Sequence, residues 1–208
     1  PAQQQAILEQ QLLALLSSGV TTVLDCGAKD SHRAQLAGLD GPRVLWLGEI
    51  LGPDDGYPEA VVPWLEGVRG EQAITAHLDH NAAGDNAGLK VTVEQGLGPS
   101  RWPLFSDEEL ALIREGAQAR GTPIYVHAMG PKEYPRALEL APYTVVHGPE
   151  SAGRRLARQV AEVDPYVIST LSIYDAVRRP YRSAHEDLLL RAHPAEAETV
   201  LDEAVALE

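Results

Sequence analysis

Short runs of apolar, β-branched residues alternate with longer amphipathic stretches along the whole chain. Ala6 to Ser18 carries Ile7, Leu8, Leu12, Leu15 and Leu16 at helical spacing, with Gly19 in the stop position. Thr21 to Cys26 and Arg43 to Leu47 follow as strands. Glu59 to Arg69 and Glu71 to Ala83 read as weaker helices, broken by Pro63 and Gly70. Leu89 to Val93 is a third strand. Ser106-Asp107-Glu108-Glu109 places serine at a helix cap with glutamate three residues on, and the helix it opens runs to Arg120 and stops at Gly121. Beyond it lie a strand over Ile124 to His127, a helix over Lys132 to Leu140 and a strand over Thr144 to His147. A helix over Gly153 to Glu162 and a strand over Tyr166 to Leu171 follow. Asp187 to the end reads as mostly helical, interrupted near Pro194.

Six strands in strict βα alternation imply a parallel sheet joined by right-handed crossovers. A doubly wound open sheet and a barrel both fit that order. The open sheet favours a glycine-rich phosphate loop after its first strand, and Asp25-Cys26-Gly27-Ala28-Lys29 supplies a poor one. Its strands, covered by helices on both faces, would also be apolar throughout. Here they are not. Leu89, Val91 and Val93 oppose Lys90, Thr92 and Glu94; Ile124 and Val126 oppose Tyr125 and His127; Val145 and His147 share a face. One polar face per strand suits the interior and C-terminal rim of a barrel. The expectation is a single domain over residues 1–208, of α/β class and (β/α)8 TIM-barrel type. It is incomplete, with six parallel strands in sequential order where a full barrel has eight.

Composition narrows the partners. With 44% hydrophobic and 23% charged residues the chain is that of a globular protein. A net charge of −13 argues against a nucleic-acid groove or an anionic membrane surface as partner. No apolar run reaches the length of a membrane span, and Pro1 to Gln5 lacks a signal-peptide pattern, so a cytoplasmic location is the default expectation. A small-molecule substrate is the expected partner, and a homo-oligomer is compatible with these features. The single cysteine, Cys26, excludes an intrachain disulfide and an all-cysteine zinc site.

The candidate chemistry sits on three strands. Lys90 lies in Gly88-Leu89-Lys90-Val91-Thr92-Val93, His127 in Pro123-Ile124-Tyr125-Val126-His127-Ala128, and His147 in Tyr143-Thr144-Val145-Val146-His147-Gly148. A lysine is seldom buried in an apolar strand unless something neutralises or uses it. One lysine and two histidines near the ends of successive parallel strands are what a divalent metal site needs. A hydrolytic zinc site uses three protein ligands and leaves one position for water, whose pKa falls to about 7. A lysine ammonium is a poor ligand. A buried lysine with a lowered pKa can instead react with carbon dioxide, and the carbamate is an oxygen donor able to bridge two metals.

The ordered set resembles the amidohydrolase superfamily, in its imidazolonepropionase-like and prolidase-like branch. Gly19-Val20-Thr21-Thr22-Val23-Leu24-Asp25 resembles the second-strand signature, and Gly88-Leu89-Lys90-Val91 the fourth-strand lysine motif. Tyr125-Val126-His127-Ala128 and Val145-Val146-His147-Gly148 resemble the fifth- and sixth-strand histidine motifs. Ser106 to Gly121 resembles the helix that precedes the first of them, and Val167-Ile168-Ser169-Thr170-Leu171-Ser172 the seventh strand. The resemblance spans roughly Gly19 to Asp175. It implies a metal-dependent hydrolase in which Lys90, as a carbamate, binds or bridges one or two divalent ions, zinc by preference. His127 and His147 would complete one ion's protein shell, and metal-bound hydroxide would attack an amide, cyclic amide or peptide-type C–N bond. The family's His-x-His on strand one and aspartate on strand eight have no counterpart here, so the chain corresponds to strands two to seven. Met129 stands where this branch often has histidine, and Val146 where it often has an acid; both departures bear on substrate identity.

Other readings of the same residues stay open. The scaffold also suits a phosphoester or lactone hydrolase, or a non-catalytic truncated barrel. In the last case Lys90 is a structural lysine paired with Glu94 or another carboxylate, and each histidine a hydrogen-bonded core residue. Tyr125 reads as core or as pocket lining. Arg178, in a stretch with Arg179 and Arg182, reads as a holder of a substrate carboxylate or as a solvated basic turn. His77 and His80 share a helix face but precede the lysine strand, and read as solvated surface. Asp25 and Glu49, at strand ends, read as capping or loop groups or as contacts to substrate, and Cys26 as a small core residue.

Overall fold

The computed structural model describes residues 2–61, 65–96, 101–149 and 153–170. The chain divides into two compact units, Pro1–Ile168 and Ser169–Glu208, and every element described below belongs to the first. Helix α1 (Ala2–Ser17) leads into strand β1 (Thr22–Asp25). Then come α2 (Asp30–Leu36), β2 (Arg43–Trp46), α3 (Tyr57–Val61), α4 (Gly70–Ala83) and β3 (Leu89–Thr92). They are followed by α5 (Asp107–Ala119), β4 (Ile124–His127), α6 (Glu133–Leu138), β5 (Thr144–Val146), α7 (Arg154–Val163) and β6 (Tyr166–Ile168). Each of the six expected strands is present in its place.

All strand pairing is parallel. β1 pairs with β2, and β3, β4, β5 and β6 follow one another in a second ladder. The two ladders abut. The Ala87 N–H donates to the Trp46 carbonyl at 2.7 Å, the Leu51 N–H to Lys90 at 2.8 Å and the Thr92 N–H back to Leu51 at 3.0 Å. Buried Asn81 on α4 reinforces the seam, its Nδ2 donating to the carbonyls of Leu47 at 2.9 Å and Gly88 at 3.3 Å. The spatial order therefore runs from β1 to β6 in sequence. Among the described residues no later strand inserts beside β1, as a doubly wound sheet would require.

The two faces of the central strands differ in kind. Leu89 and Val91 of β3, Ile124 and Val126 of β4 and Val145 of β5 pack with Ile74 and Leu78 of α4 and Leu110, Ile113 and Ala117 of α5. Each such side chain, fully buried, contributes roughly 1.5–3 kcal/mol. The opposite face is also buried, yet it is polar: Lys90, Thr92, Glu94, His127 and Thr144 lie there, outside that apolar cluster. The outer strand β6 is exposed along its length. Helix α5 starts at the expected capping box, the Glu109 N–H donating to Ser106 Oγ at 3.2 Å and the Ser106 N–H to Glu109 Oε2 at 2.9 Å. Among the described residues no helix is long and apolar enough to cross a membrane.

Two stretches differ from the sequence expectation. Helix α2 has no apolar period to announce it; tertiary contacts hold it instead. Its Arg33 donates to Asn86 Oδ1 at 2.7 Å and lies over the Trp46 ring at 5.2 Å. Of the helix expected over Glu59 to Arg69, the described residues hold α3, and residues 65–69 are not helical. Past it, Val68 forms a parallel bridge with Pro53, donating its N–H to Gly52 while accepting that of Asp54. Those backbone bonds outweigh a weak helical pattern. Leu171 and the stretch from Asp187 onwards lie outside the described residues.

Candidate metal centre

The polar face gathers the chemistry. Lys90 is 5% exposed on β3, with Thr92 and Glu94 beyond it on the same side. His127 ends β4, in register with Thr92. His147 follows β5, and its ring stands edge-on to that of His127 with centroids 4.7 Å apart. The Lys90 charge acts on both imidazoles. The two histidines thus meet at the C-terminal ends of neighbouring strands, with Lys90 on the same face near enough for its charge to reach both.

His147 reaches this face by a route that alternation does not give. The register pairs Tyr125 with Thr144 and His127 with Val146, so Thr144 and Val146 share the face of His127 while Val145 turns to the helices. Strict alternation would send His147 after Val145, away from His127. Instead its backbone takes φ +88°, in the left-handed region, and the ring swings back. Such a conformation is uncommon for a residue with a Cβ and costs about 1–3 kcal/mol.

Three further residues complete the surroundings, and none was singled out from the sequence as part of the site. Glu94, 4% exposed, places Oε2 3.6 Å from His127 Nε2, while its Oε1 accepts the Gly96 N–H at 2.9 Å. The Tyr57 ring stacks on His127 at 4.5 Å and meets Trp102 edge-on at 5.4 Å. Glu94 carries a signal, being four residues past Lys90 on the same face, but it enters the sequence reading only in the alternative that makes Lys90 a structural lysine. Its close contact is with the His127 ring. Tyr57 opens the short helix α3, where no local pattern points at a strand 70 residues on.

Burial sets the protonation states. It draws the Lys90 ammonium down to about 8, although nearby Cys26 pushes the other way. A useful fraction is then neutral amine near neutral pH. Burial likewise brings His147 down to about 4, with His127 and Lys90 adding to the effect and Glu94 opposing it. His127 is lowered too, again by burial first, with Glu94 opposing. Glu94 is itself held below its usual value: burial raises it, but the His127 ring and the Gly96 and Met129 backbone amides together prevail. Both imidazoles are therefore neutral at pH 7, the form with a lone pair for a metal.

A pH dependence follows with a definite sign. The histidines' folded pKa values lie below the unfolded value of about 6.5, so the unfolded chain takes up protons first as pH falls. The stability they contribute is complete above about 6.5 and is lost as pH falls towards about 4. The denaturant midpoint of metal-free protein is expected to drop through that window, and His147→Gln to flatten the drop. A wild-type midpoint constant from pH 7 to 4.5 would contradict this assignment.

The donors suit a divalent ion of the zinc type. Glu94 Oε2, His127 Nε2 and Thr92 Oγ1 are buried without a hydrogen-bond partner among the described residues. Buried polar atoms are ordinarily paired, and a carboxylate oxygen and an imidazole nitrogen are both zinc donors. Around His127 the groups are neighbours rather than a closed cage. The one described His, Cys, Asp or Glu set with donors all within 4.8 Å of one another is Asp54, Asp55 and Glu59. That set is already engaged in the fold: Asp54 pairs with Arg69 at 3.3 Å and Glu59 Oε1 accepts the Gly67 N–H at 2.5 Å.

The remaining candidates fall as follows. Tyr125 is in register with Lys90, and its ring packs against Tyr143 at 5.6 Å and closes over Gly88. Arg178 lies outside the described residues. His77 is not the solvated residue the sequence suggested: α4 turns it inward, with Nε2 3.2 Å from the Glu49 carbonyl, and burial lowers its pKa. His80 is exposed, as expected. Asp25 Oδ1 caps the turn after β1, accepting the Gly27 N–H at 2.9 Å. Cys26 is half-buried within reach of the Lys90 charge, and burial pushes its thiol up.

No family model and no curated protein matches this sequence. Solved structures do. A Xaa-Pro dipeptidase with methionine bound in its active site is 22% identical, with a TM-score of 0.70 over 84% of this chain and 48% of its own. An amidohydrolase is 25% identical, with a TM-score of 0.64 over 80% of this chain and 46% of its own. The fold is that of the amidohydrolase superfamily. The ochratoxinase of A. niger, 18% identical, matches 98% of this chain and 51% of its own, with a TM-score of 0.69. The chain spans about half the length of the solved structures it matches.

Proposed function

We propose that this chain carries the central part of a metal-dependent amidohydrolase, strands two to seven of a (β/α)8 barrel, acting on an amide, cyclic amide or peptide-type C–N bond of a small molecule. The observation that carries the reading is the ring contact of His127 and His147 at the C-terminal ends of β4 and β5, with buried Lys90 on the same polar face acting on both. That is where barrels of this kind keep their chemistry. Neighbours described as a Xaa-Pro dipeptidase, an amidohydrolase and an ochratoxinase support the class of bond.

In this reading His127 and His147 offer neutral imidazole lone pairs. The neutral Lys90 amine adds to carbon dioxide, releasing one proton, and presents two carbamate oxygens. A divalent ion bound there supplies a water made acidic near neutral pH and a Lewis acid for the substrate carbonyl. The Tyr57 ring, stacked on His127, fixes the plane of the imidazole and keeps water from its face. Glu94 works the other way, its negative charge raising the basicity of both imidazoles, but burial prevails and both stay neutral near pH 7.

The test is metal analysis of the purified full-length protein, with turnover scored on dipeptides and lactams beside phosphoesters and lactones. Bound divalent metal with hydrolysis of the amide set is expected. Protein that takes up no metal, or that turns over only phosphoesters, would overturn the proposal.

A further inference from the structure

We propose that Glu94 is itself a ligand of this centre, binding the metal through Oε2 beside His127 Nε2. The inference rests on the metal-dependent reading above and adds a donor to it. Three observations lead to it. The first is a distance. Glu94 Oε2 and His127 Nε2 stand 3.6 Å apart, beyond the range of a good hydrogen bond. Two ligands of one tetrahedral zinc, each bound at about 2.1 Å, are separated by about 3.4 Å. The second is satisfaction. Both atoms are buried and lack a hydrogen-bond partner among the described residues, an arrangement that native interiors seldom leave uncompensated. An ion between them satisfies both at once.

The third is support. A ligating carboxylate is usually oriented by a hydrogen bond to its other oxygen. Here Oε1 accepts the Gly96 N–H at 2.9 Å, which leaves Oε2 turned towards His127. The imidazole is oriented as well, by the Tyr57 ring stacked on it. The alternative role, a counter-ion for Lys90, does not fit this placement, because the contact Glu94 makes is with the His127 ring and its charge is not among the causes that shift Lys90. Since Glu94 is a carboxylate as translated, metal uptake through Glu94 and His127 does not depend on carbon dioxide reaching Lys90.

The test uses full-length protein stripped of metal, titrated with Zn²⁺ against a competing chelator and with Co²⁺ followed by visible absorption. Glu94→Gln keeps the size of the side chain and an oxygen for the Gly96 N–H, but removes the anionic donor. It is expected to weaken Zn²⁺ binding by about 100-fold or more, beyond the usual 10–100-fold range of an outer-shell loss, and to shift the Co²⁺ bands. Wild type that binds Zn²⁺, with His127→Ala losing it and Glu94→Gln unchanged in affinity and spectrum, overturns the role of Glu94 and leaves the metal reading intact. Wild type that binds neither ion overturns both. Should Glu94→Gln fail to fold, a crystal structure of the zinc-loaded wild type decides: a Glu94 oxygen at about 2.0–2.2 Å from zinc supports the proposal, and one beyond about 3 Å overturns it.

Discussion

Replacing Lys90 with alanine in the full-length protein should lower kcat/KM by roughly 10³-fold or more, about 4 kcal/mol of transition-state stabilisation. The lysine is buried on the polar face, and burial has brought its ammonium down to about 8. A neutral amine can take up carbon dioxide and present two oxygens. Truncation removes those oxygens and leaves a cavity beside two imidazoles. Added formate or acetate should partly restore turnover, because a small carboxylate can occupy that cavity. Lys90→Arg should not restore it, since a guanidinium stays charged and forms no carbamate. Wild-type turnover and unchanged metal stoichiometry in Lys90→Ala would make the residue a structural lysine, and the carbamate would have to be dropped.

The second large effect is expected at His127. His127→Ala should cut metal affinity by about 100-fold or more and lower the metal content of purified protein, because it removes a direct donor. The same change strips Tyr57 of its stacking partner and leaves the buried Glu94 carboxylate without the neighbouring imidazole. A loss of stability in the metal-free protein should therefore accompany the loss of metal. Equilibrium dialysis and denaturation of the stripped protein measure the two separately. Unchanged metal content in His127→Ala would remove His127 from the ligand set.

Much of this arrangement was legible in the sequence, for reasons that particular residues show. Leu89, Val91, Ile124, Val126 and Val145 are apolar and mostly β-branched, and their spacing placed three strands and their helix-facing sides. The lysine and histidine stood out because a buried polar face needs a purpose. What escaped depends on contacts between distant segments. Helix α2 is polar and owes its place to Arg33 on Asn86 and Trp46. The pattern after Glu59 was helical, yet Val68 pairs with Pro53. Glu94 was visible as a charge on the lysine's face, but only the register of β3 with β4 sets it against His127.

The left-handed backbone at His147 has a further consequence. Glycine would adopt that conformation without strain, and the chain carries an imidazole there instead. Selection on backbone strain alone would favour His147→Gly, against the added freedom glycine gives the unfolded chain and the loss of the ring packed on His127. The variant so chosen would relieve the backbone and would lack one of the two imidazoles that feel the Lys90 charge. Stabilisation campaigns on this scaffold should therefore hold position 147 fixed, and the survival of histidine there under mutation and screening reports how far its chemistry is under selection.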